Sequence, residues 1–187
     1  MVAALLLLGL TTWAAATDIV WQKIYNVTTY TGIAAAILLA GVRSWWMAQN
    51  TSTETVLNRW SLVELSDSLA GFALCGVLLL ACFVLFRIGG GDVKLLAMIG
   101  AFLGVEQGLE ALLWTVVLGG TLALMMLIWQ IGAIELVTTA VKQTWVWLRR
   151  GVAPPLAKAN REALKTRLYL GPCALLAVVI VHFELLG

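Results

Sequence analysis

Long apolar runs constrain this chain more than any other feature. Six of them are candidate membrane segments, although the fourth is short for a bilayer crossing, and they cover residues 1–17, 28–47, 66–87, 92–105, 108–131 and 168–186. A spanning helix needs about 20 apolar residues, and these runs are continuous rather than alternating, which favours helices over barrel strands. Only 12% of the 187 residues are charged, about half the usual share in a soluble domain. The sequence therefore predicts an all-α membrane protein, a polytopic bundle of about six transmembrane helices in a single domain, residues 1–187.

The distribution of charge predicts the orientation of this bundle. With the N-terminus outside, links 18–27, 87–92 and 135–167 are cytoplasmic, and only Arg43 and Arg59 lie on the outer side. The other ten basic residues then face the cytoplasm: Lys23, Arg87, Lys94, Lys142, Arg149, Arg150, Lys158, Arg161, Lys165 and Arg167. Cytoplasmic loops are enriched in Lys and Arg. We therefore expect a multi-pass protein of the cytoplasmic (inner) membrane with its N-terminus outside.

Two segments carry features that predict where they lie relative to the bilayer. No Lys or Arg precedes the first apolar run, and Lys23 follows it, so we expect a retained helix rather than a cleaved signal peptide. In the long link, Trp145 and Trp147 stand beside basic residues. This combination is typical of a segment that lies among the lipid headgroups.

Two acids fall at membrane-segment ends on the same predicted side. Asp18 ends the first apolar run, and Asp92 begins the fourth directly after a run of three glycines at 89–91. Two neighbouring carboxyl groups can activate a water molecule and protonate a leaving nitrogen, and acids at membrane depth are functional candidates because they are costly there. The alternative for Asp92 is an ordinary helix N-cap, and for Asp18 an ordinary loop acid.

Three stretches carry a resemblance to a known family. Residues 89–96 read G-G-G-D-V-K-L-L and resemble the G-x-G-D-x-K-L-L motif of prepilin peptidases. Residues 18–26 read D-I-V-W-Q-K-I-Y-N and are similar to the first-aspartate motif of that family, D-x-x-x-x-x-I-P-N. Residues 168–175 are similar to its late G-P-x-L-like element. The order of these three stretches and the spacing between them agree with the family pattern across most of the chain.

The resemblance implies an activity and its residues. Asp18 and Asp92 match the two catalytic aspartates, and Gly89 and Gly91 match the motif glycines. The implied reaction removes short basic leaders from type IV pilin-like precursors at the cytoplasmic face, with no metal or organic cofactor. The implied partners are the precursor, with its basic leader and hydrophobic stem, and the lipid bilayer, but no nucleic acid. The chain has no paired cysteines before Asp18 and so resembles the small, peptidase-only branch of tight-adherence or Flp-type pilus systems, in which methylation is not expected.

Two further residues are candidates for shaping the site. Lys94, two positions after Asp92, is either an electrostatic influence on the carboxyl groups or a cytoplasmic anchor that extends to the headgroups. Asn26 either forms a hydrogen bond near the site or caps the second helix. The sequence leaves both choices open.

The sequence also raises other hypotheses about function and sites. Tyr25 stands where the family usually has proline, which permits a non-catalytic membrane scaffold or assembly protein related to these peptidases. A small transporter would place its polar groups near the bilayer midplane, whereas the two acids are predicted at one surface. His182 is the one histidine, and the three cysteines lie in apolar runs without a C-x-x-C pair. They indicate neither a metal site nor a disulfide framework.

Overall fold

The described part of the chain is helical. A computed structural model describes residues 2–21, 24–49, 63–86, 89–150 and 170–184. In these ranges it forms six helices and no strand: α1 Val2–Trp21, α2 Asn26–Gln49, α3 Leu65–Phe86, α4 Gly90–Ile131, α5 Ala133–Arg150 and α6 Leu170–Glu184. The predicted all-α class is therefore confirmed.

Most of these helices are suited to a bilayer. Four of them, α1 to α4, are long and apolar enough to cross a membrane, and α6 is apolar but shorter. Their large apolar side chains are often exposed, as at Leu5, Leu38, Val84 and Val117, which is costly in water but natural against lipid tails. The chain is thus a multi-pass helical membrane protein.

The two predicted segments 92–105 and 108–131 both lie in α4, which bends sharply at Gly104. Gly104 has φ 81° and ψ −167°, a backbone region that is essentially restricted to glycine. A Cβ placed on Gly108 would lie 3.0 Å from Cα of Gly100, whereas these residues would be about 12 Å apart in a straight helix. The chain therefore reverses here, and α4 consists of a first arm (residues 90–103) and a second arm (residues 105–131).

Two polar residues of α3 stabilise this reversal. Val105 donates its backbone N–H to Oδ1 of Asp67 at 3.0 Å, and Ser68 donates its hydroxyl to the carbonyl of Ala101 at 2.6 Å. A helix break leaves N–H and C=O groups without intrahelical partners, and such groups are costly away from water. Asp67 and Ser68 therefore supply one hydrogen-bond partner to each arm: Ser68 to the first arm and Asp67 to the second.

The residues divide into two compact units, a main unit (Met1–Val117 with Tyr169–Gly187) and a second unit (Leu118–Leu168). In the main unit α1 packs against α6 and α2, and α2 packs against α3. Every residue from 95 to 102 is buried, so the first arm of α4 lies at the centre of the core. At about 21 Å this arm is shorter than the hydrocarbon layer of about 30 Å. A helix that ends at membrane depth needs protein around its unpaired backbone groups, and the other helices of the core surround this arm.

Helices extend into two of the predicted links. Helix α1 continues through Asp18 to Trp21, and α2 begins at Asn26, so most of the predicted link 18–27 is helical. Helix α5 occupies the first half of the predicted link 135–167. Several predicted features lie outside the described residues: Lys23, Arg59, Arg87, the remainder of the long link with its four basic residues, and the start of the late G-P element.

Candidate active site

Asp18 lies in the last turn of α1, in the core of the main unit. Its side chain is only 8% exposed, and its Oδ2 accepts a hydrogen bond of 3.0 Å from the backbone N–H of Gly171. Gly171 is the second residue of α6, where backbone N–H groups have no partner within their own helix. The start of α6 therefore holds one oxygen of Asp18 and leaves Oδ1 for other contacts.

The position of Gly171 has no room for a side chain. A Cβ there would lie 3.0 Å from both Cβ and Oδ2 of Asp18 and 3.2 Å from Cα of Ala15. These separations are shorter than ordinary carbon contacts of about 3.5–4.0 Å. Glycine at 171 thus allows α6 to approach α1 closely enough for the hydrogen bond to form.

Asp92 is the third residue of α4 and is partly buried. Its N–H donates to the carbonyl of Gly89 at 3.1 Å, and its carboxyl group turns back over Gly89, where a Cβ would lie 2.8 Å from Oδ2. Gly91 faces the segment between α1 and α2, and a Cβ there would lie 3.1 Å from Cβ of Ile24. The two motif glycines therefore fit Asp92 against its own turn and against this neighbouring segment.

The structure brings the two acids together. The carboxyl groups of Asp18 and Asp92 are close enough to interact electrostatically, although 74 positions separate them in the sequence. Both also interact electrostatically with Cys173, a buried residue of α6. Helices α1, α4 and α6 thus converge on one place in the main unit, and each contributes a polar or titratable group to it.

Lys94 and Asn26 contact each other beside this pair. Lys94 Nζ donates to Oδ1 of Asn26 at 2.9 Å and lies 4.9 Å from the ring centroid of Tyr30, within the range of a cation–π interaction. The contacts join the beginning of α2 to the beginning of α4. Neither sequence alternative included this pairing, because Asn26 and Lys94 are far apart in the chain.

Other contributors were not evident in the sequence. Ile24 and Tyr30 contact Gly91 and Lys94 respectively, yet neither has a residue type that indicates catalysis. Cys173 is one of the three cysteines in apolar runs that indicated no site; it is buried, but it also lies within electrostatic range of the two acids. The late G-P element was noted only as part of a resemblance, whereas its glycine forms a hydrogen bond with Asp18.

The site offers carboxyl groups rather than a cluster of metal ligands. Across the described ranges, no three His, Cys, Asp or Glu side chains come together in a way that could hold a metal ion. Glu106 and Glu110 lie on the second arm of α4, beyond the reversal at Gly104. Asp18 and Asp92, at two helix ends of the main unit, lie within electrostatic range of each other.

The fold and the site define a class of protein: a helical, multi-pass membrane protein in which two acids from separate helices lie within range of an electrostatic interaction. Residues 5–124 match the model of the type IV leader peptidase family. The match covers well over half of the 187 residues, so the chain belongs to this family and is indicated as a peptidase. It includes both acids, the motif glycines, Asn26 and Lys94, but it ends before α5 and α6. No curated protein and no solved structure matches the chain.

Proposed function

We propose that the chain is an aspartic endopeptidase that removes the short basic leader from type IV pilin-like precursors. The observation that carries this proposal is that the carboxyl groups of Asp18 of α1 and Asp92 of α4 lie within range of an electrostatic interaction. The family supplies the expectation of leader cleavage, and the acid pair supplies groups capable of the chemistry. Gly89 and Gly91 support it further, because they are the glycines that fit Asp92 into place.

In the proposed mechanism the two carboxyl groups share one proton, because two neighbouring carboxylates do not both ionise easily. The unprotonated group takes a proton from a water molecule, which attacks the carbonyl carbon of the scissile amide. The protonated group then delivers its proton to the leaving nitrogen. The Gly171 N–H holds one oxygen of Asp18, so the orientation of that carboxyl group is fixed before the substrate arrives.

The proposed substrate follows from the family and from the location of the acids. Asp18 and Asp92 lie near the ends of candidate membrane spans, at a depth that a peptide bond next to a hydrophobic stem reaches when the stem is in the bilayer. The charge distribution in the sequence favours the cytoplasmic side of the inner membrane for both acids. Lys94 and Asn26, tied to each other beside Asp92, are proposed to shape this site.

The test is cleavage of a co-expressed pilin-like precursor in the membrane. We expect Asp18→Asn and Asp92→Asn each to lower the cleavage rate by roughly 100-fold or more, since each removes one participant in proton transfer. Immunoblots measure the shift from precursor to mature size, and mass spectrometry of the new N-terminus gives the cleaved bond. Glu106→Gln, a matched change at an exposed acid of α4, should leave cleavage intact.

The same experiment separates the second candidate, a non-catalytic scaffold. Its support is Tyr25 at the family's proline position; this residue is 45% exposed and forms an edge-to-face contact with Trp21 at 6.2 Å. An uncut precursor beside correctly inserted wild-type protein would favour the scaffold. Full cleavage by Asp18→Asn or Asp92→Asn would remove that acid from the proposed mechanism.

A further inference from the structure

Helix α5 has an exposed apolar stripe. Val137, Val141, Trp145 and Leu148 are separated by four, four and three positions, which places them along one face of a helix. They are 59%, 62%, 59% and 74% exposed. Because all four are so exposed, the stripe does not belong to a core formed by the described residues and requires another apolar environment.

Cationic side chains lie beside this stripe. Lys142 and Arg149 are exposed. Their helical positions place them away from Val137 and next to the edge of the stripe that Trp145 forms. The guanidinium carbon of Arg149 lies 4.8 Å from the ring centroid of Trp145, so the cation and the indole meet at one edge of the stripe. An apolar stripe with Trp, flanked by Lys and Arg, fits an anionic lipid surface.

The connection to α4 determines where α5 begins. Helix α4 is a candidate membrane span that ends at Ile131, and Trp129 in its last turn is 85% exposed. Gly132 then adopts φ 87°, and its N–H donates to the carbonyl of Ile128 at 2.9 Å, an arrangement typical of a helix C-terminus. Helix α5 starts at the next residue. Gly132 alone separates the two helices, so α5 begins close to the end of this candidate span.

We propose that α5 lies along the bilayer surface, with the stripe of Val137, Val141, Trp145 and Leu148 in the lipid and Lys142 and Arg149 bound to anionic headgroups. A bilayer is the natural occupant because a candidate span leads directly into α5 and because the exposed charges described beside the stripe, Lys142 and Arg149, are positive. This segment lies beyond residue 124, where the family match ends, so the inference does not depend on the peptidase assignment.

Spin labels on the full-length protein test the placement of the stripe. Single cysteines replace Val141, Leu148 or Thr138 in a background that carries Cys75→Ala, Cys82→Ala and Cys173→Ala, and each protein is reconstituted in lipid nanodiscs. Labels at 141 and 148 should collide several-fold more often with oxygen than with a water-soluble nickel complex. The label at 138, an exposed position near the cationic side of α5, should show the reverse preference.

Lipid composition tests the role of the cations. Adding phosphatidylglycerol to phosphatidylcholine discs should move the label at 141 deeper, and the double variant Lys142→Gln, Arg149→Gln should abolish this shift. The charge-retaining variant Lys142→Arg, Arg149→Lys should preserve it. A shift that survives loss of both charges would overturn the headgroup contact.

Two label patterns would overturn the placement itself. Stripe labels shielded from both collision reagents and broadened by spins on other chains would assign the stripe to a second copy of this chain. Nickel access that is equal at positions 138, 141 and 148 would place the whole helix in water. Neither readout uses peptidase activity, so the result is separate from the fate of the proposed function.

Discussion

Gly171 is the residue whose role depends most directly on its lack of a side chain. Its N–H holds Oδ2 of Asp18, and a Cβ there would meet both Cβ and Oδ2 of the same aspartate at 3.0 Å. Any larger residue must push α6 or Asp18 away. Because the proposed reaction needs Asp18 and Asp92 to act on one water molecule, a small displacement of Asp18 has a large consequence.

We therefore expect Gly171→Ala to lower kcat for precursor cleavage by roughly 10- to 100-fold, since a displacement of about 1 Å at a reacting group can cost that much. KM should change little, because Gly171 is proposed to orient a catalytic group rather than to bind the precursor. Quantitative cleavage assays in detergent micelles over a range of precursor concentrations separate the two constants.

Gly9→Ala is the matched control for this variant. Gly9 lies in α1, the helix of Asp18, and a Cβ there meets nothing within 4 Å. The Gly9→Ala variant should leave kcat and KM unchanged. If Gly171→Ala cleaves at the wild-type rate while remaining folded, the proposed positioning of Asp18 by α6 is wrong.

Residue types and spacing predicted the candidate acids but not their surroundings. Asp18 and Asp92 stand out because acids at the ends of apolar runs are costly, and the glycine run marks the second of them. Nothing in the sequence pairs Asn26 with Lys94, or Gly171 with Asp18, because such contacts depend on how the helices pack. The structure supplies these pairings.

At the scale of elements, the reversal in α4 determines which part of the chain forms the core. The first arm packs closely on α3, where a Cβ on Gly100 would lie 2.5 Å from the carbonyl oxygen of Gly71. The second arm exposes apolar side chains such as Leu113 and Val116. The sequence predicted a boundary between residues 105 and 108, close to the observed turn at Gly104. It did not reveal the partner of that turn, because Asp67 is 38 positions away.

Gly104→Ala should destabilise the protein. An alanine at φ 81°, ψ −167° costs about 1–3 kcal/mol in backbone strain, and its Cβ would collide with the Asp67 carboxyl group, which accepts the hydrogen bond from Val105. The fraction of protein that stays monodisperse after heating in detergent, followed by size-exclusion chromatography, should fall at a lower temperature than for the wild type.

Gly120→Ala provides the comparison, because Gly120 lies within the second arm and a Cβ there meets nothing within 4 Å. Alanine is a better helix former than glycine by about 1 kcal/mol, so this variant should be as stable as the wild type or more stable. Equal heat resistance of Gly104→Ala and the wild type would contradict the importance of the reversal.

At the scale of the whole molecule, the helical type of the spans could be predicted, because bilayer thickness fixes the length of an apolar helix. Four of the described helices are candidate spans where six were predicted, since α4 holds two of the predicted runs and α6 is short. The predicted all-helical bundle and the apolar segments were found with small shifts of their ends; Asp18 lies inside α1 because the apolar residues Ile19, Val20 and Trp21 continue the helix. The orientation of the bundle in the membrane is a separate matter, which depends on charge rather than on packing.

Charge predicts that Asp18 and Asp92 face the cytoplasm, and this can be measured by cysteine labelling. Gln22→Cys and Thr53→Cys are each made in the background without Cys75, Cys82 and Cys173. They place one thiol in link 18–27 and one between the second and third predicted apolar runs, at residues 48–65. We expect a membrane-impermeant maleimide to label position 53 in spheroplasts and position 22 only in inverted vesicles or lysed cells. The reason is that ten of the twelve basic residues fall on the side of position 22, and basic links stay in the cytoplasm. The reverse pattern would place the acid pair on the outer face, which a leader that remains in the cytoplasm never reaches. That result would exclude the proposed substrate but would not contradict the pairing of the two acids.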